Sequence, residues 1–264
     1  MALTEELDLA TRLARGAGAI QLDRYERLER IVHKSEHDVV TEVDHLCEEL
    51  ILDGIRAHFP ADALLAEESG ASHAESGTDA RPSGRTWIVD PLDGTVNYAN
   101  GIPIFCVSIG LAVDGSPALG VVYDPVRDEL FSAVAGEGAR LDGEPISMPV
   151  KERLADCLVS LGLPGRGWAL RERAVRRRIR ASRVLGSATL SLAYVANGRF
   201  DAFVQLRGMS NWDVAAAGLI ATEGGATVSD ARGNPWFDQA RPNRTVGVIA
   251  AAPAHHAVVM ELLR

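Results

Sequence analysis

The sequence has little to offer a membrane. Its longest apolar runs, such as Ile104 to Val113, stop well short of the roughly 20 residues that a helical span requires. The opening MALTEELDLA is acidic and amphipathic where a secretory leader is basic and then apolar, so a soluble, unexported protein is expected. Cysteine is scarce: Cys47, Cys106 and Cys157 lie far apart in apolar segments, odd in number, which suits small core residues in a reducing compartment and points to the cytoplasm. Positive charge is also short, since 27 Lys and Arg face 36 Asp and Glu for a net charge of −9. That balance argues against nonspecific attraction to nucleic acid or anionic lipid, so neither a nucleic-acid nor a membrane partner is expected. No internal repeat, no low-complexity tract and no GxSxG elbow occurs. The seven histidines, His255 and His256 among them, form no metal spacing with the cysteines and read as surface residues.

What is present is enough for a sizeable core: 264 residues at 47% hydrophobic content allow one large domain or two small ones sharing an interface. From Leu3 to Phe59 the pattern is mainly helical, with Leu46, Leu50, Ile51, Ile55 and Phe59 recurring at helical spacing until Pro60. Gly70 to Gly84 is polar and small, a surface loop. Strand-like runs at Ile104–Val113, Ala118–Tyr123 and Glu129–Val134, separated by Asp114-Gly115 and Asp124-Pro125, then predict an antiparallel meander.

Beyond Pro149 the style changes to alternation. Strands are predicted at Cys157–Leu161, Arg183–Leu185, Phe200–Leu206, Ala226–Ser229 and Val246–Ala251. Helices are predicted between and after them at Trp168–Arg180, Ala188–Asn197, Trp212–Glu223 and Ala254–Leu263. An α+β half over 1–149 is thus expected to precede an α/β half over 150–264. Within LRERAVRRRIR, the residues Leu170, Ala174, Val175 and Ile179 interrupt six arginines, which reads as a solvated helix, with a partner or phosphate surface as the lesser alternative.

One stretch resists a packing explanation. In WIVDPLDGTVNY the end of an apolar strand carries Asp90 and Asp93 close together, with Gly94 and Thr95 behind them. Two charges about 4 Å apart repel by roughly 4 kcal/mol at an effective dielectric near 20, so the core gains nothing from them. Pro91 cannot donate a ladder hydrogen bond, and the strand is expected to end at Asp90, with a turn bringing Asp93 back toward it. Gly94 and Thr95 stand where a short helix would begin, its free N–H groups a seat for phosphate. Acid beside phosphate requires cations, and hard oxygen donors favour Mg²⁺. Glu67 and Glu68 follow the strand-like ALLA at 63–66, and alternation sends them to opposite sides, leaving Glu67 for the site. Asp213 opens the helix WDVAAAG, and Asp44 follows Thr41; each also has the spacing of a capping box, so either acid reads equally as a helix cap. Carboxylates at element ends in both halves suggest a site in the crevice between them.

Together WIVDPLDGTVNY, the AEES at 66–69, the WDVAAAG at 212–218 and the leading KSEHDVVTEVD at 34–44 resemble the inositol monophosphatase family of Mg²⁺-dependent, lithium-sensitive phosphatases, over nearly the whole chain. The resemblance implies an αβαβα sandwich, a small phosphorylated substrate and a homodimer. It implies that Glu67, Asp90 and the Leu92 carbonyl hold one Mg²⁺, that Asp90, Asp93 and Asp213 hold a second, and that a weaker third lies near Glu67. Thr95, hydrogen-bonded to Asp44, would orient the attacking water together with Glu67, with the phosphate on the N–H groups of Gly94 and Thr95. Gly186, Ser187 and Ala188 match a segment that touches the substrate beyond its phosphate, and Lys34 a basic residue near the loop over the site. Inositol-selective members carry a Glu seven residues ahead of the Asp in the WD motif; here Leu206 stands there, followed by Arg207. The resemblance makes inositol 1-phosphate the leading substrate, and this departure opens histidinol phosphate, fructose 1,6-bisphosphate and 3′-phosphoadenosine 5′-phosphate as alternatives on the same chemistry. A non-catalytic binding protein on the same fold is the alternative of a different class.

Overall fold

The computed structural model describes residues 3–27, 31–35, 38–72, 83–162 and 169–263. The chain opens with helix α1 (Thr4–Arg24), a hairpin of β1 (Ile31–Ser35) and β2 (Asp38–Thr41), and helix α2 (Glu42–His58). Eight strands then form one sheet: β3 (Ala63–Ala66), β4 (Gly70–Ser72), β5 (Arg85–Asp93), β6 (Cys106–Val113), β7 (Ser116–Asp124), β8 (Glu129–Val134), β9 (Ala139–Leu141) and β10 (Glu144–Ile146), in the order β10-β9-β8-β7-β6-β5-β3-β4. Helix α3 (Thr95–Ala99) lies between β5 and β6. A second, five-stranded sheet, ordered β12-β11-β13-β15-β14, comprises β11 (Leu158–Gly162), β12 (Ala181–Arg183), β13 (Ala202–Met209), β14 (Thr227–Ser229) and β15 (Val246–Ala251). Its helices are α4 (Ala169–Arg176), α5 (Ala188–Ala196), α6 (Asn211–Glu223) and α7 (Pro253–Leu262).

The layers follow from strand alternation, because successive side chains point to opposite faces. Trp87, Val89, Val107 and Ile109 face α1 and α2, packing with Ala14, Ala17, Ile51 and Ile55. Ile88, Val122 and Phe131 face the other way, onto α5 and α6. Those two helices are buried almost all round, since Phe203, Val246 and Val248 of the smaller sheet close over them. Val204, Leu206 and Ile249 point outward to Val175 of α4 and to Val259 and Met260 of α7. The architecture is the expected αβαβα sandwich. Among the described residues no helix is long and apolar enough to cross a membrane.

Where α6 crosses the larger sheet the approach is close enough to require glycine. A Cβ on Gly120 would lie 2.7 Å from the Ala216 carbonyl oxygen, and one on Gly110 would lie 3.0 Å from the Ala215 Cβ. The meander is antiparallel as read, and both residues of its first turn take positive φ, Asp114 at 49° and Gly115 at 77°. Such a turn matches the right-handed twist of the strands it joins.

Several local expectations are corrected. The segment from Leu3 to Phe59 is mainly helical as read, but between α1 and α2 Val32 pairs with Val40 and His33 with Val39 in the β1–β2 hairpin, where β-branched residues favour extended backbone. The loop read at Gly70–Gly84 begins as an edge strand, Gly70–Ser72 pairing with β3; residues 73–82 lie outside the described residues. β6 starts at Cys106 and not Ile104, whose carbonyl is taken by Asn97 Nδ2 at 2.8 Å. Helix α4 spans Ala169–Arg176 and ends short of the expected Arg180, Trp168 lying outside the described residues, and Leu170 on it is 81% exposed. β12 is Ala181–Arg183, set by its parallel register with Leu158–Ser160, and not Arg183–Leu185. His255 and His256 are buried, at 6% and 8% exposure, on the face of α7 turned to the smaller sheet. His256 Nε2 sits 2.9 Å from Ser229 Oγ, and His255 Nδ1 sits 3.6 Å from Cys157 Sγ. Burial pushes the Cys157 thiol up to about 11, so this pair holds no thiolate at neutral pH.

Candidate active site

β5 does not stop at Pro91. It runs on to Asp93, but its pairing with β6 shifts, Asp90 opposite Ser108 and Asp93 opposite Cys106, so three steps on one strand match two on the other. This is a bulge, and the proline that cannot donate to the ladder sits inside it. The extra residue turns Asp93 back beside Asp90, the convergence that a strand end had been expected to supply. Leu92 N donates to Asp90 Oδ1 at 3.0 Å, and buried Gln21 on α1 donates through Nε2 to the Pro91 carbonyl at 2.8 Å, gripping the bulge from behind.

The helices packed on the smaller sheet deliver Asp213 and Ser187. Asp213 rides in the first turn of α6, where its Oδ2 accepts from Ser210 N at 2.7 Å in a reciprocal capping box. Oxygens of Asp90, Asp93 and Asp213 lie within 4.8 Å of one another. Glu67, one residue past β3, lines the same cleft of about 170 Å³ with Leu92, Gly94 and Thr95, and Glu68 does not. Ser187 Oγ, the N-cap of α5, makes a short hydrogen bond to Asp93 Oδ2, which also accepts from Thr189 N at 3.0 Å. Gly186 lines the cleft at φ 80°, its Cα so near the Asn97 amide that a Cβ would lie 2.7 Å away. Asn97 Nδ2 also donates to the Leu185 carbonyl at 2.8 Å, tying α3 to the Gly186 segment.

Thr95 occupies the junction. Its Oγ1 stands 3.0 Å from Asp44 Oδ1 and 2.9 Å from the Leu92 carbonyl oxygen. A hydroxyl has one hydrogen and two lone pairs, so donation to Asp44 leaves the lone pairs free to accept. Asp44 accepts on its other oxygen, Oδ2, from Thr41 N at 2.8 Å and from Thr41 Oγ1 at 2.7 Å. The capping readings of Asp44 and Asp213 are both fulfilled, and neither removes the acid from the site. Gly94 caps α3 at φ 98°, a left-handed conformation that costs glycine little.

The electrostatics are those of crowding. Asp90, at 1% exposure, has its carboxyl pushed well above the ordinary range by burial first and then by Glu67, Asp93 and Asp213. Burial raises Asp93 too, against the lowering pull of Ser187 and Thr189; Asp213 is raised by burial and by Asp93. An all-oxygen donor set whose own charges resist ionisation fits a hard divalent cation, which relieves each of those shifts at once.

The whole of residues 2–264 matches the sequence model of the inositol monophosphatase family. The chain belongs to the inositol monophosphatase family. It is 38% identical to inositol monophosphatase 2 of Solanum lycopersicum over 96% of this chain and 95% of that protein. It is equally, at 38%, identical to the Nus factor SuhB of Pasteurella multocida, over 97% of this chain and 94% of that one. Among solved structures, the extragenic suppressor protein suhB of Bartonella henselae superposes with a TM-score of 0.90 at 31% identity, covering 99% of both chains. This family member therefore shares its fold and length with proteins that carry two different names.

Several of its site groups escaped the sequence reading. Thr189, Gln21 and Arg244, which lines the cleft near Ser210, occur in segments with no motif of their own. The position assigned to the substrate-reading Glu is held by Leu206, with Arg207 after it. Leu206 points into the outer core of the smaller sheet, and Gln205 lines the pocket adjoining the cleft in its place. Lys34 belongs to β1, whose side chains lie outside the description.

Proposed function

We propose that this protein hydrolyses a small phosphomonoester with Mg²⁺ as cofactor, inositol 1-phosphate being the leading substrate. The carrying observation is the meeting of Asp90, Asp93 and Asp213 within 4.8 Å, from two sheets, beside the Thr95–Asp44 pair. Glu67, Asp90 and the Leu92 carbonyl would hold one ion, Asp90, Asp93 and Asp213 a second, with a weaker third near Glu67. Bound there, the ions supply positive charge that polarises the phosphoryl group, makes water more acidic and stabilises the departing oxygen. The chain's own groups do the positioning. Thr95 donates to Asp44 and so presents a lone pair to the attacking water, with Glu67 as the second acceptor of its protons. Backbone N–H groups of Gly94 and Thr95 face the phosphate, and Gly186 and Ser187 border the alcohol being released. The division into halves at 149 and 150, a homodimer, lithium sensitivity and a cytoplasmic location belong to the same proposal.

The test is phosphate release from inositol 1-phosphate with Mg²⁺ and with EDTA. Activity is expected only with the metal, and Asp93→Asn should lower kcat by at least about a thousandfold while circular dichroism stays native. Turnover unchanged in that variant would refute the assignment. The relatives named Nus factor SuhB favour a second reading, a binding or regulatory protein on this fold. On that reading Asp93→Asn retains every cellular role of the protein, and a cell carrying only this variant separates the two. The absence of a nucleic-acid partner rests on the net charge of −9, and retention on an RNA column at physiological salt is its check.

A further inference from the structure

We infer that Gln21, on α1 and outside the lining of the cleft, is a positioning residue for the metal centre: through the peptide that joins Pro91 to Leu92 it fixes the Asp90 carboxylate in the orientation that binds Mg²⁺. This rests on the hydrolytic reading above, in which Asp90 would serve two ions.

Packing gives no account of an amide at this position. Gln21 is fully buried on the face of α1 that carries Ala10, Ala14 and Ala17 into the core. Its Oε1 is buried with no hydrogen-bond partner among the described residues, a penalty that an unbranched apolar side chain of similar length would not incur. What the amide makes instead is one directed bond, from Nε2 to the Pro91 carbonyl at 2.8 Å. Only the donor end of an amide suits a carbonyl, so the side chain cannot be turned round.

That carbonyl belongs to the bulge. Pro91 and Leu92 pass without a register partner on β6, since Asp90 lies opposite Ser108 and Asp93 opposite Cys106. The ladder therefore does not set the tilt of the peptide plane between them. Side chains set it at both ends: Pro91 O accepts from Gln21, and Leu92 N donates to Asp90 Oδ1 at 3.0 Å. A trans peptide is planar, with its C=O and N–H directed oppositely, so fixing one end aims the other. Accepting at the oxygen also polarises the N–H, which strengthens its bond to the carboxylate. Two hydrogen bonds in series thus run from α1 to the most crowded acid of the site. Gln21 braces α3 as well, because Tyr98 Oη donates to its backbone carbonyl at 2.7 Å. That second tie uses only the backbone of residue 21, so a side-chain substitution tests the first alone.

The test is the affinity of the metal-free protein for Mg²⁺ alone, by titration calorimetry, in wild type, in Gln21→Met and in Ile51→Val, which removes one methylene from the same core and leaves every hydrogen bond in place. Gln21→Met is expected to weaken Mg²⁺ binding by about 10- to 100-fold, the usual effect of removing a group that orients a metal ligand. In phosphate release, the Mg²⁺ concentration for half-maximal rate should rise by the same factor, while kcat at saturating Mg²⁺ stays within about threefold of wild type. Ile51→Val is expected to lower Tm and leave the Mg²⁺ affinity where it was. Equal affinity in wild type and Gln21→Met overturns the inference and leaves the hydrolytic reading standing, as does an equal loss of affinity in both variants, which would make Gln21 a packing residue only. Where Gln21→Met fails to fold, Gln21→Asn, whose amide ends one methylene short of Pro91, takes its place with the same expected loss, and failure of both to fold overturns the inference. A wild type that binds no Mg²⁺ removes the metal-dependent reading, and this inference with it.

Discussion

Asp90 is the residue on which the crowding falls hardest, being buried and surrounded by Glu67, Asp93 and Asp213. Without a cation this acid opposes folding. Asp90→Asn keeps an oxygen for Leu92 N and removes the charge, so in EDTA the variant is expected to melt higher than the wild type. Each kcal/mol recovered shifts the Tm of a chain this size by about 2–4 °C. A lower Tm in a calorimetric scan would show that the acids are not in conflict. His256 gives the pH counterpart. Burial lowers its pKa below the ordinary 6.5, so the unfolded chain binds this proton more readily than the folded one. The contribution is fully present above about pH 6.5 and is lost as pH falls from there through the folded pKa. Urea midpoints between pH 8 and pH 5 should accordingly fall less steeply in His256→Gln than in the wild type.

At the scale of elements, the seating of α6 on the sheet positions the site. Gly120→Ala forces a methyl against the Ala216 backbone, and overpacking of this kind costs about 1–3 kcal/mol. Because Asp213 begins the same helix, kcat is expected to fall by about 100-fold, the usual penalty for a displacement near 1 Å. A denaturant midpoint that moves while kcat does not would separate stability from placement. This is also the scale at which the sequence was most and least informative. Glu67 rather than Glu68 was legible because a strand's period of two admits no other choice. The meeting of Asp90 and Asp93 was legible from Pro91, although the device is a bulge and not a strand end. The side chain at the pocket wall was not legible, because pairing of β13 with β15 shifts register between Gln205 and Met209 and no local signal announces it. The burial of His255 and His256 was likewise hidden, since the face of α7 that turns inward depends on a sheet formed elsewhere.

For the whole molecule, the αβαβα sandwich brings acids from widely separated segments to one crevice, and an ion bound there would clamp the two sheets through α6. Under the proposed function, Mg²⁺ at 100 times its dissociation constant should stabilise the fold by about 2.7 kcal/mol, read as a rise in Tm. Asp90→Asn should abolish that rise. An equal rise in wild type and variant would place the ion elsewhere.

The capping boxes of α2 and α6 bear on how such a protein ages. Asp44 and Asp213 each close the first turn of a helix, while Asp44 also meets Thr95 and Asp213 lines the cleft, so folding alone would preserve them in a lineage that had abandoned turnover. Glu67 takes no part in either cap. In descendants of this fold, survival of the two aspartates is no sign of activity.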